Sequence, residues 1–149
     1  EIGGAVKNVL AIACGIITGR ALGDNARAAL ITRGLSEISR LATALGGRRE
    51  TVHGLSGMGD LTLTCSSPQS RNMSFGIELG RGRSVAEILA ERRSVTEGVW
   101  SAASVSELAA SKGVDMPICA AVNRIVTHLD DIDETISGLL NRPFRVEGD

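Results

Sequence analysis

Between Ile2 and Thr18 the chain carries a single charge, Lys7, in a run that is apolar on nearly every helical face. Such a segment reads as a buried helix that other helices must cover. Its most apolar part, Val9–Ile17, contains Gly15 and is too short to cross a bilayer, which takes roughly 20 residues. The means of covering it are restricted. The chain has 18 glycines but only two phenylalanines, one tryptophan and no tyrosine. Its core must therefore be built from Ala, Leu, Ile and Val, with helices packed at close spacing.

The remainder reads as helix as well. Asp24 or Asn25 can cap a long helix running to Leu45, ended by Gly46-Gly47. Its apolar positions Leu30, Gly34, Leu35, Ile38 and Leu41 keep a helical period, and Arg27, Arg33, Glu37 and Arg40 fall largely on the other side. From Arg48 to Asn72 the pattern breaks, with a short helix around Glu50–Leu55 and then small and polar residues. Helices resume at 72–80. Ser84 with Glu87 makes a capping box for Val85–Arg92. Thr96 caps a helix through Ser111 that Gly113 ends. Pro117 opens one to about Leu129. Asp131 or Asp133 starts a last helix to Asn141, stopped by Pro143. No alternating run is long enough for a sheet, so the expected class is all-α, one multi-helix domain over 1–149.

Composition narrows the function. A net charge of −1 argues against nucleic acid, which draws a basic footprint. The three cysteines, Cys14, Cys65 and Cys119, are widely spaced and odd in number, which fits a reducing cytosol better than a disulfide framework. No signal peptide is visible. Glu1 in place of methionine, with patterning that starts at once, suggests a fragment of a longer protein or a processed chain. His53 and His128 are isolated, and no Cys/His spacing resembles a metal site.

Three places can carry chemistry. Lys7 is one of only two lysines in a chain that otherwise uses arginine. Burying an ammonium is expensive and favours the neutral amine, which can accept a proton. A lysine that begins a helix and reaches solvent fits the pattern equally well. Asp60 follows Gly57-Met58-Gly59, where an Asp is usually a turn former or cap. Ser70-Arg71-Asn72 stands at a helix start, where backbone N–H groups, a hydroxyl, an amide and a guanidinium suit phosphate. An N-cap followed by a surface arginine is the commoner meaning of such a triplet. The doublets Arg48-Arg49 and Arg92-Arg93 read as solvated helix ends, and Cys14 and Cys119 as packing residues.

The order of these segments is more specific than any one of them. Gly3-Gly4-Ala5-Val6-Lys7-Asn8-Val9, Leu22-Gly23-Asp24-Asn25-Ala26-Arg27, Gly57-Met58-Gly59-Asp60-Leu61, Leu63-Thr64-Cys65, Ser70-Arg71-Asn72 with Phe75-Gly76, Val95 with Glu97-Gly98-Val99, and Met116-Pro117-Ile118-Cys119 come in series. Across essentially the whole chain the series resembles the C-terminal half of the bacterial NAD(P)-dependent glycerol-3-phosphate dehydrogenases.

The resemblance implies a helical domain like the C-terminal domain of 6-phosphogluconate dehydrogenase. It implies that a Rossmann domain, absent from this chain, holds most of the NAD or NADP. It makes Lys7 the proton acceptor and a substrate contact for glycerol 3-phosphate or dihydroxyacetone phosphate. Asp60, Thr64, Ser70, Arg71 and Asn72 fall on substrate positions, and Arg71, Val95 and Glu97 on cofactor positions. A cytoplasmic homodimer serving phospholipid synthesis, with no transmembrane segment, completes what is implied. Thr96 and Trp100 depart from the pattern of many members, at positions without a catalytic role. Two alternatives stand beside this: a related dehydrogenase for another hydroxy acid, and a helical oligomerisation module without activity of its own.

Overall fold

The computed structural model describes residues 2–47 and 70–141. They form seven α-helices and no strand: α1 (Ile2–Gly19), α2 (Asp24–Ala44), α3 (Arg71–Gly80), α4 (Val85–Glu91), α5 (Thr96–Lys112), α6 (Pro117–Val126) and α7 (Ile132–Leu140). A 3-10 turn, Arg93–Val95, joins α4 to α5.

The apolar first helix is the axis of the fold. From Val9 to Ile17 every residue of α1 is buried, and α3, α5, α2 and α6 pack around it. By length and composition alone α1 could cross a membrane, but most of it is enclosed by the other helices, as a core helix is.

The α1–α3 contact is the most extensive helix pair, and glycine makes it possible. A Cβ on Gly15 would lie 2.8 Å from the Gly76 Cα, and one on Gly19 would lie 3.0 Å from the Gly80 Cα. Reciprocally, a Cβ on Gly76 would come within 2.9 Å of the Gly15 Cα, and one on Gly80 within 3.0 Å of the Gly19 Cα. The backbones therefore touch with no side chain between them. Both glycine pairs rise together along the two chains, so α1 and α3 run parallel. Small residues spaced four apart on each helix give one flat stripe per helix, and close approach brings Met73, Phe75 and Leu79 fully into the core.

Local signals set most helix ends. Ser84 accepts from the Glu87 N–H at 3.1 Å, and Glu87 accepts from the Ser84 N–H at 3.1 Å, which completes the capping box. Asp131 accepts from the Glu134 N–H at 2.9 Å. Gly113 ends α5 in the left-handed region, at φ 66°.

Four expectations change. Neither Asp24 nor Asn25 caps α2. Gly23 takes that position, and Asp24 binds Arg27 at 2.8 Å inside the first turn. Thr96 is already helical, because the 3-10 turn delivers the chain to α5 without a side-chain cap. The helix from Pro117 stops at Val126, three residues early, and Leu129 adopts φ 59° in the connection.

The fourth change concerns the polar side of α2, which is partly an interface. Glu37 is only 1% exposed. It accepts from the backbone N–H groups of Ile118 at 2.7 Å and Cys119 at 3.3 Å, at the open start of α6. Pro117 cannot donate there, so a carboxylate from another helix supplies the cap. Burial pushes the Glu37 carboxyl up to about 7, against the lowering effect of those N–H groups and of Arg40. Arg40 bonds the Asp115 carbonyl at 2.9 and 3.1 Å, and Arg33 bonds that of Leu139 at 3.1 Å.

Candidate functional site

The glycine register sets the axial level of α3 against Lys7. If it is carried toward the N-termini, Arg71 on α3 stands level with Leu10 on α1. Lys7 is three residues below that level, about 4–5 Å along the axis. The start of α3 and the lysine thus occupy the same end of the bundle. Lys7 is half-buried rather than enclosed. Val6 beside it and Leu10 further along the helix are buried.

The stripe of α1 that faces α3 contains Ile12, Gly15, Ile16 and Gly19. One turn before Ile12 the same stripe reaches Asn8. This half-buried amide is therefore directed to the side where α3 begins. Sequence reasoning passed over Asn8, because the stripe is defined only once the partner helix is known.

At the α3 mouth, Ser70 is the N-cap, and its hydroxyl accepts from the Met73 N–H at 3.4 Å. Arg71 is exposed, and Asn72 is half-buried. The Asn72 side chain leans on Gly98 in the first turn of α5, where a Cβ would collide with its Oδ1 and would lie 3.1 Å from Ile12 Cδ1. One small residue thus lets α1, α3 and α5 meet. The starts of α3 and α5 meet here through Asn72 and Gly98. The first turn of α3 carries partial positive charge and N–H groups, to which Arg71 adds a full charge. The arrangement suits a compact anion.

On the α5 side, Val95 is fully buried in the 3-10 turn and Glu97 is exposed. Whatever Val95 contributes passes through the turn it holds in place. Glu97 offers a carboxylate to anything docked on that face. Trp100, one turn further, is 70% exposed.

The arginines near this turn are not simply solvated ends. Arg92 is half-buried and donates from Nη1 to Ser74 Oγ at 3.0 Å and to Glu78 Oε2 at 2.5 Å, both on α3. Arg83 bonds Glu78 Oε1 at 2.7 Å and both oxygens of Glu91 at 2.9 and 3.0 Å. Burial opposes ionisation of Glu78, yet the two guanidiniums hold its carboxyl below the usual range. Arg93 is exposed, as expected. Cys14 and Cys119 are free and buried, also as expected. Asp60 and Thr64 lie outside the described residues, as do His53, Cys65 and the doublet Arg48-Arg49.

The described residues thus form an all-α fold with a Ser70-capped helix start suited to an anion. Residues 1–137 match the family described as NAD-dependent glycerol-3-phosphate dehydrogenase C-terminus, and the chain belongs to that family. A glycerol-3-phosphate dehydrogenase [NAD(P)+] from Rhodospirillum rubrum is 60% identical over 148 residues, 99% of this chain and 42% of the relative. That of Maricaulis maris is 62% identical over 147 residues, covering 99% and 44%. Among solved structures, glycerol-3-phosphate dehydrogenase from Coxiella burnetii superposes with a TM-score of 0.89 at 46% identity, covering 95% of this chain and 44% of that one. The enzyme from Saccharomyces cerevisiae gives 0.79 at 28% identity, covering 94% and 41%. The chain thus spans less than half the length of the relatives it matches.

Proposed function

We propose that this chain is the substrate-binding half of an enzyme interconverting sn-glycerol 3-phosphate and dihydroxyacetone phosphate. What supports the proposal is the family match over residues 1–137 together with the parallel α1–α3 register, in which Lys7 lies within a turn of the axial level of the Ser70–Asn72 helix mouth. The phosphate would rest on the open N–H groups of α3, with Arg71 and Asn72 around it. Lys7 would take the proton of the C2 hydroxyl in one direction and return it to the carbonyl oxygen in the other. Asp60 and Thr64 belong to the same substrate set by family position. The nicotinamide cofactor, NAD or NADP, supplies the hydride exchange and would be held mainly by the longer protein's other domain. Toward it this chain offers Arg71 and the exposed Glu97, on the turn that Val95 supports. The half-buried and exposed polar groups there fit a docked dinucleotide better than a closed core would.

The test is turnover of dihydroxyacetone phosphate with NADH or NADPH by the longer protein and its Lys7→Ala variant. Loss of the general base should lower kcat by about 10²–10⁴-fold, and near-normal turnover refutes the role. Comparing phosphorylated with unphosphorylated substrate separates this enzyme from one acting on another hydroxy acid. A cytoplasmic homodimer is part of the same proposal. The free buried thiols fit a reducing compartment, and light scattering of the purified protein measures its mass.

A further inference from the structure

We propose that Arg92 is a positioning residue that clamps the segment 92–98 to α3 and so fixes Glu97 relative to the phosphate end of the site. The role rests on the function proposed above, because it is there that Glu97 meets the cofactor.

The segment is held at three points. At its start, Arg92 reaches two side chains on α3, Ser74 at 3.0 Å and Glu78 at 2.5 Å. At its end, Gly98 rests against Asn72, one of the substrate triplet on the same helix. Between them Val95 has no exposed surface. Glu97 follows Val95 by two residues, so its position is set by α3 at both ends. The Arg92 and Glu78 side chains are only 26% and 24% exposed, and Glu78 is shared with Arg83. This separates the pair from an ordinary solvated surface ion pair, which contributes little. Both contacts leave from the one nitrogen Nη1, so a lysine at 92, with its shorter reach, would keep them only in part. α3 itself does not depend on the clamp, because the glycine pairs seat it on α1. Loss of Arg92 should therefore free the cofactor-facing turn and leave the substrate triplet in place.

The experiment is steady-state kinetics of the longer protein with the cofactor and the triose phosphate varied separately. Arg92→Met should raise KM for the cofactor about tenfold, equivalent to about 1.4 kcal/mol, with KM for the triose phosphate within about twofold. Arg92→Lys should fall between Arg92→Met and the unmodified protein, and it serves as the readout if Arg92→Met does not fold. Arg83→Met, which removes the other guanidinium on Glu78 but leaves the Arg92 bonds to α3, should lower Tm without moving the cofactor KM. An unchanged cofactor KM in the Arg92 variants overturns the clamp. So does an equal rise in Arg83→Met, which would mean general loosening. Absence of turnover in the unmodified protein refutes the proposed function, and the role of Arg92 with it. That result is read before any variant is compared.

Discussion

Replacing Gly76 with alanine tests the backbone contact on which the site is built. The new methyl would lie 2.9 Å from the Gly15 Cα and 3.0 Å from the Ile12 carbonyl carbon, with the Ile12 oxygen closer still. All three are main-chain atoms of a buried helix, and none can rotate aside. The two helices must separate by a fraction of an ångström or more along their shared stripe. Overpacking of this kind costs about 1–3 kcal/mol. The upper end applies here, because separation also loosens Met73, Phe75 and Leu79, which are 0–1% exposed. Alanine returns about 1 kcal/mol through its better helix propensity. The net loss is about 2 kcal/mol, or roughly 4–8 °C in Tm for a chain of this size. Gly138→Ala is the control. It lies within α7 with nothing inside 4 Å of its added Cβ, so the same substitution should stabilise by up to about 1 kcal/mol. Thermal and urea unfolding followed by far-ultraviolet circular dichroism measures both. If Gly76→Ala is as stable as the unmodified protein, or moves with Gly138→Ala, the helices do not meet backbone to backbone.

Two further outcomes are expected. Glu37 binds its proton more tightly folded, at about 7, than unfolded, at 4.5. Its contribution is complete below the unfolded value and lost as pH rises through the folded one, a decline of about 3 kcal/mol. Urea midpoints taken from about pH 5 to about pH 8 should show this fall, and Glu37→Gln should flatten it. The lowered Glu78 acts with the opposite sign and only below the usual carboxylate range, so it does not produce this fall. Leu129→Asn should raise stability by roughly 0.5–1 kcal/mol, since Leu129 holds φ 59° at 71% exposure and Asn tolerates that conformation. Unchanged or lower stability would argue against strain at that turn.

What could be read in the sequence was what neighbours in sequence decide. The Ser84–Glu87 box, the Asp131 cap and the left-handed Gly113 each depend on groups within a turn, and each is where its pattern places it. Glu37 and Arg92 read as solvated charges because their partners lie 81 and 18 residues away. Helical period marks which residues share a face, yet it does not say which faces are covered by another helix. The candidate site shows the same division. Ser70–Asn72 was legible as a helix mouth, and the fold adds that Ser70 spends its hydroxyl on Met73. That this mouth stands level with Leu10, within a turn of Lys7, follows only from the glycine pairs, and Asn8 acquires its direction from them too. The series of short words carried the family because it records positions from several helices at once.

At the two glycine pairs α1 and α3 meet main chain to main chain, with no rotamers to exchange there. Packed side chains let helices slide by small repacking steps, whereas touching backbones leave only contact or separation. The axial offset between the Lys7 backbone and the start of α3 is accordingly fixed, and it is set by four glycines, not by side chains that could be exchanged.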